Sequence, residues 1–259
     1  VPLLDPEEPG PVARIVPVGL FLGSALVAAL LLRLAWFEPE LAAVLLAAGA
    51  VAFGVRWLLQ RRARRLLRSG NVDVLLARWA RAAEQTPHRE TLGPLMAATA
   101  YAAFGFPERA REAIAAAARG PAWEATHEHR LFLDTLLCTF EGDRDGALER
   151  AERLARLPMP PVGARLQERV ETLREAVAAL ARAFAHVTRP GDAALLERTA
   201  ESSPLVFWAM RYAGAVIAID EGDPSRARRL LEGAPKWPEG SAFRGFHEEI
   251  TQQLPAAPT

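Results

Sequence analysis

The sequence is poor in residues that cross-link, coordinate or react. A single cysteine, Cys138, stands among 259 residues, so no disulfide can form within the chain. It lies in an apolar helical run with Leu136, Leu137 and Phe140, where a thiol packs as a small hydrophobe and has no activating base beside it. There is no phosphate-binding glycine loop, no Gly-x-Ser-x-Gly elbow and no cysteine pair. His88, His186 and His247 stand apart from one another, each near a helix end. Of 31 basic residues only Lys236 is lysine, a bias of codon usage rather than of mechanism. No catalytic residue, cofactor or metal site is expected.

Net charge is also absent: 31 basic residues balance 31 acidic ones. The first 70 residues hold eight arginines and five acidic residues, leaving 23 basic against 26 acidic residues beyond. A slightly acidic remainder lacks the basic face of a nucleic-acid binder, so nucleic acid is not an expected partner.

What the chain does have is two long apolar stretches. Ile15 to Trp36 is 22 residues with one charge, Arg33, near its end, and Leu41 to Leu59 is 19 residues with Arg56 similarly late. As helices they reach roughly 33 and 28 Å, against a hydrocarbon core of about 30 Å. Phe37-Glu38-Pro39-Glu40 between them leaves room only for a tight turn. Trp36, Phe37 and Trp57 fall where an aromatic belt would lie. The expectation is a two-span transmembrane hairpin over 15–59 behind a tail at 1–14. Gly19-x-x-x-Gly23 places small residues on one face, either as ordinary membrane-helix glycine or as a surface for homo-oligomers.

Arg61, Arg62, Arg64, Arg65 and Arg68 crowd the segment 60–70, while the turn carries only glutamates. The positive-inside rule then puts both termini and all that follows in the cytoplasm, with the hairpin in the inner membrane and the arginines against lipid headgroups. A secretory signal is not expected, because the start is acidic, the apolar core is long and a second span follows at once. A hairpin buried in a soluble protein is the remaining alternative.

From 71 to 254, ahead of a tail at 255–259, proline and glycine divide the chain into helices and no strand is expected. The helices are predicted near 71–85, 91–104, 107–119, 123–141, 144–156, 162–188, 192–202, 204–221, 224–233 and 240–253. Three breaks share one form: Gly105-Phe-Pro-Glu-Arg-Ala, Gly142-Asp-Arg-Asp-Gly-Ala and Gly222-Asp-Pro-Ser-Arg-Ala. The glycine suits a left-handed helix end, and the aspartate or proline suits the next start. Alanine five residues on lets the second helix lie close to the first. Gly191-Asp192 marks the break between the second and third copies. Four helix pairs follow, 91–119, 123–156, 162–202 and 204–233, with 71–85 leading in and 240–253 capping the far end. Helix 204–221, charged only at Arg211 between Leu205 and Ile219, is too short for a third span and is expected to be the most buried.

Within these pairs, Ala100-Tyr101-x-x-x-Gly105-x-x-x-x-Ala110 and Ala215-x-x-x-Ile219-x-x-Gly222-x-x-x-x-Ala227 resemble tetratricopeptide repeats. The family's full Trp–Leu–Gly–Tyr pattern is complete in no single copy. The resemblance covers roughly 91 to 233. The fold class expected overall is all-α, an N-terminal transmembrane hairpin followed by a tetratricopeptide-like α-solenoid of about four pairs. The resemblance implies a scaffold that binds partner proteins in a concave groove.

In a solenoid the first helix of each pair lines the concave face. His127 and Arg130 on one such helix, with Trp208, Arg211 and Tyr212 on another, are the candidate partner-binding residues. The competing reading makes Trp208 and Tyr212 core and pairs Arg211 with a buried acid. Glu124, His127 and Glu128 share a helix face at i, i+3 and i+4, with His129 directed elsewhere. A solvated helix start accounts for that cluster, and the zinc-protease spacing is missing. The function expected is a noncatalytic, membrane-anchored scaffold or adaptor for other proteins. The alternatives are an auxiliary subunit of a transport or secretion complex and a membrane-bound metal-dependent hydrolase.

Overall fold

A computed structural model describes residues 39–254 except 85 and 162, and among them there are eleven α-helices and no strand. The chain divides into two compact units, Val1–Arg62 and Ala63–Thr259.

Helix α1, Pro39–Arg68, overturns the expected membrane hairpin. Among the described residues no helix is long and apolar enough to cross a membrane. The stretch 41–59 does not end at Leu59 but runs on as one helix through the arginines. Eight of its nineteen residues are alanine or glycine, whose small side chains remove little apolar area from water. The other half of the expected hairpin, 15–36 with Gly19 and Gly23, and the tails 1–14 and 255–259 lie outside the described residues.

The second unit continues with α2 (Val72–Glu84), α3 (Arg89–Ala103), α4 (Pro107–Ala117) and a short 3-10 turn, Glu124–Thr126, leading into α5 (His127–Phe140). Then come α6 (Arg144–Arg156), α7 (Ala164–Phe184), α8 (Asp192–Ser202), α9 (Phe207–Asp220), α10 (Pro224–Leu231) and α11 (Ala242–Gln253). Local chemistry explains the joints. Gly105, Gly142 and Gly222 have φ of 74°, 81° and 75°, the left-handed turn that glycine adopts without a Cβ clash. Each turn feeds the amide after it back to the preceding helix, as in Asp143 N to Cys138 O at 2.9 Å and Asp223 N to Ala218 O at 2.8 Å. Asp143 and Asp223 then cap α6 and α10 by accepting from the Gly146 and Arg226 amides.

The turn between α7 and α8 departs from expectation. His186, at φ 58°, takes the left-handed position, with Val187 N on Arg182 O at 3.0 Å, so α7 stops at Phe184 rather than 188. The repeat mark there is a histidine, not the glycine at 191.

The pairs α3/α4, α5/α6, α7/α8 and α9/α10 pack as expected, and α2 packs on α3. Each second helix touches the next first helix, and the first helices α3, α5, α7 and α9 form a contiguous face. Ala110, Ala147 and Ala227 are buried where the two helices of a pair meet. This sequential packing is compatible with an α-solenoid.

Helix α11 does more than cap the far end. Trp237, Phe243, Phe246 and Ile250 lay the C-terminal segment across all four first helices. Phe243 packs edge-on to Phe140 of α5 at 5.2 Å and stacks on Tyr212 of α9, also at 5.2 Å, while Phe246 meets Phe184 of α7 at 4.7 Å. At α3, the Ser241 hydroxyl donates to Phe104 O at 2.8 Å and the Ala242 amide to Gly105 O at 2.7 Å. Phe243 is fully buried, a side chain whose removal from water is worth about 1.5–3 kcal/mol.

Candidate binding groove

The face formed by α3, α5, α7 and α9 is thus divided. Its C-terminal half is covered by α11, and its N-terminal half is an open groove of about 710 Å³. Leu92 and Leu95 of α3, Phe132 of α5 and Val170 and Leu173 of α7 give it an apolar floor, closed by Leu205 just before α9. The pairs Leu92/Leu95 and Val170/Leu173 stand three apart, the spacing that puts two side chains on one helix face.

Four polar side chains are built into the groove wall. The Thr99 hydroxyl donates to Leu95 O at 2.8 Å and lies 2.7 Å from His129 Nε2. A threonine has one hydroxyl proton, and it is committed to the carbonyl, so Nε2 carries the proton and donates to Thr99 while Nδ1 is left as an acceptor. The His129 residue is exposed at the mouth of the groove, with its ring set against the walls. Desolvation by the groove walls nonetheless lowers its pKa from the ordinary value, opposed only in part by Glu128, so the ring is neutral at pH 7. Arg174, nearly fully buried, donates through Nε and Nη2 to Glu128 at 3.0 and 2.7 Å and through Nη1 and Nη2 to the carbonyls of Leu157 and Pro158 at 2.7 and 3.2 Å. This guanidinium ties α5 to the α6–α7 connection and fixes the groove's shape.

None of the five residues singled out from the sequence lines the groove. His127 is exposed one position ahead of Glu128. Arg130 stacks on the Trp123 ring at 3.9 Å, 3.7 Å from Glu124. Trp208 and Tyr212 are core: the indole Nε1 of Trp208 donates to Arg68 O at 3.0 Å, and the Tyr212 hydroxyl accepts from Trp237 Nε1 at 2.6 Å beside His247 Nδ1 at 3.2 Å. Burial pushes the Tyr212 phenol up, outweighing the Trp237 bond. Arg211 meets no buried acid; it donates to the carbonyls of Arg229 and Leu230 at the end of α10, where it caps that helix.

The arginines at the end of α1 divide as well. Arg61, Arg62 and Arg65 are exposed, Arg61 lying over the Trp57 ring at 5.0 Å, and Arg64 belongs to the same helix. Arg68 instead packs over the Phe207 ring at 4.0 Å.

The 124–129 cluster comes apart in three dimensions, since Glu128 turns to Arg174 and His129 to Thr99. Among the described residues no group of three or more His, Cys, Asp or Glu could hold a metal ion. Cys138 is buried, and its thiol is pushed up by desolvation despite Arg111 Nη2 at 3.7 Å. A second, smaller cavity of about 290 Å³ lies at the opposite ends of the helices beside Phe140, Phe184 and Phe246, where His186 Nδ1 bonds Asp220 at 2.8 Å.

Sequence reasoning missed the groove residues because their partners are distant in the chain: Thr99 and His129 are 30 positions apart, Glu128 and Arg174 are 46. The one available signal was that His129 falls off the face of its acidic neighbours. Comparison with protein-family models, curated proteins and solved structures finds no match for this chain.

Proposed function

We propose that the second unit is a noncatalytic adaptor, a tetratricopeptide-like α-solenoid that binds another protein in the groove running over α3, α5 and α7 to the start of α9. The observation that carries this reading is the groove itself. It is open, mostly apolar and continuous over successive first helices, and it adjoins a half of the same face that Phe243 and Phe246 of α11 already cover. Repeat arrays use such faces for protein recognition, and an uncovered apolar concavity rimmed by polar groups is the usual mark of an interaction site.

A photo-crosslinking amino acid placed at Leu173, in the groove, and separately at Glu152, exposed on α6, tests the reading in cells. Discrete protein adducts from 173 and none from 152 are expected. Equal or absent labelling from both positions overturns it.

A further inference from the structure

The groove reading says that a protein binds; the molecule also indicates what kind of segment fits. We infer that the open half of this face seats an amphipathic helix of a partner protein, apolar toward the groove and carrying a carboxylate for Arg169. This rests on the adaptor reading and narrows it.

Two observations carry the inference. The first is continuity with an interface already present in the molecule. The covered half of the same face is occupied by α11, a twelve-residue helix whose Phe243, Phe246 and Ile250 stand at i, i+3 and i+7. Its polar residues Arg244, Glu248 and Glu249 are exposed. Twelve residues of helix reach about 18 Å, which suffices to bridge from the end of α3 to α9, as the bonds to Gly105 and Tyr212 demonstrate. The groove beside it crosses the same array and presents the same type of surface, with Leu92, Leu95, Phe132, Leu173 and Leu205 in place of the aromatic half. An extended strand would lay its backbone donors and acceptors over a floor of Leu92, Leu95, Phe132, Val170 and Leu173, none of which can pair them. A helix satisfies its own backbone and offers side chains alone.

The second observation is charge. Arg174 is neutralised by Glu128, and His129 is neutral. Among the described residues lining the groove, Arg169 is the charge with no carboxylate partner. It sits at the groove's edge, one turn before Leu173 on α7; in the adjoining hollow that shares Arg169 and Leu173, Arg198 of α8 is offset by Glu168 and Glu175, so Arg169 itself carries the preference. An acidic side chain flanking the apolar stripe would meet Arg169, whereas a basic one would be repelled.

The test is fluorescence anisotropy of the full chain with three blocked peptide helices, each of about three turns. The first has leucines at i, i+3, i+4 and i+7 flanked by glutamates, the second the same leucines flanked by lysines, and the third glutamates with the leucines replaced by alanine. The acidic leucine peptide is expected to bind about tenfold more tightly than the basic one at low salt, a difference that corresponds to about 1.4 kcal/mol and narrows as salt is raised. The alanine peptide is expected not to bind. Arg169→Glu should reverse the charge preference, and Leu173→Glu should abolish binding with the circular dichroism spectrum unchanged. Equal binding of both leucine peptides overturns the acidic occupant while leaving the adaptor reading standing. Binding of none overturns the helical occupant, and the crosslinking at 173 then decides the adaptor reading on its own.

Discussion

The indole Nε1 of Trp208 donates to the carbonyl oxygen of Arg68 at 3.0 Å, across 140 positions of sequence. With the Arg68 guanidinium stacked over Phe207, this bond fastens the start of the second unit to the first turn of α9, the last of the four first helices. The residues just ahead of α2 are thereby tied to α9, and one core cluster runs from Val72 of α2 to Ile250 of α11. Trp208→Phe keeps most of the buried ring but removes the donor. The expected loss is about 1–2 kcal/mol, the cost of a carbonyl left without its partner. It should be read as a lower urea midpoint with an unchanged denaturant slope.

Gly105→Ala tests the seat of α11. Gly105 has φ +74°, and a Cβ there would meet Phe243 Cγ and Ser241 Oγ, each at 3.0 Å. The left-handed conformation alone costs a non-glycine residue about 1–2 kcal/mol. The crowding falls on the side chain and hydroxyl that hold α11 to α3. Amide exchange of 242–253 should accelerate more than that of α5 or α7. Uniform acceleration throughout the unit would mean that α11 has no separate seat.

The three glycine turns were legible in the sequence because a positive φ is what glycine is for, and the cap residues after them follow from simple hydrogen-bond chemistry. Helix positions came out within a few residues for the same reason. The fourth turn was not legible. His186 adopts the same conformation, and what holds it, a bond from its ring to Asp220 on α9, is a tertiary fact. The apolar stretch at 41–59 misled in the opposite sense. Its residues are apolar by letter, yet alanine and glycine supply much of it, and the helix continues through the arginines without a break. The groove runs over helices that the solenoid frame had put on the concave face, but the residues chosen on them were mostly those with large side chains. Large aromatic residues went to the core, as Trp208 and Tyr212 did, and the groove was left to leucines, a threonine and a histidine.

Arg174 should tolerate no substitution well, lysine included. Its fork serves Glu128 and the two carbonyls at once, a geometry that a single ammonium cannot reproduce. Glu128 retains 42% exposure and can recover water, so Arg174→Lys is expected to cost about 2 kcal/mol rather than the full penalty of a broken buried pair. Thermal unfolding measures this. A loss no greater than that of Arg153→Lys, in an exposed pair on α6, would show that the guanidinium is not a structural tie.

Stability should also depend on pH in two separate windows. The His129 pKa is lowered in the folded state from an ordinary 6.5, so between the two values the unfolded chain binds the extra proton. The neutral ring's contribution is fully present above 6.5 and is lost as pH falls below it. Asp192 acts further down. Burial alone would raise its carboxyl, but the fork from Arg182 at 2.9 and 2.5 Å and the Arg189 amide at 2.9 Å together hold it below the ordinary 3.8. Its contribution is present above 3.8 and is lost as pH falls through the folded value. Urea titrations from about pH 8 to about pH 3 should therefore show one decline beginning near 6.5 and another below about 4. His129→Gln, which can still donate to Thr99 but cannot take up the proton, should remove the first decline and leave the second. Persistence of the first in that variant would assign it to another group and leave the groove histidine free to be charged.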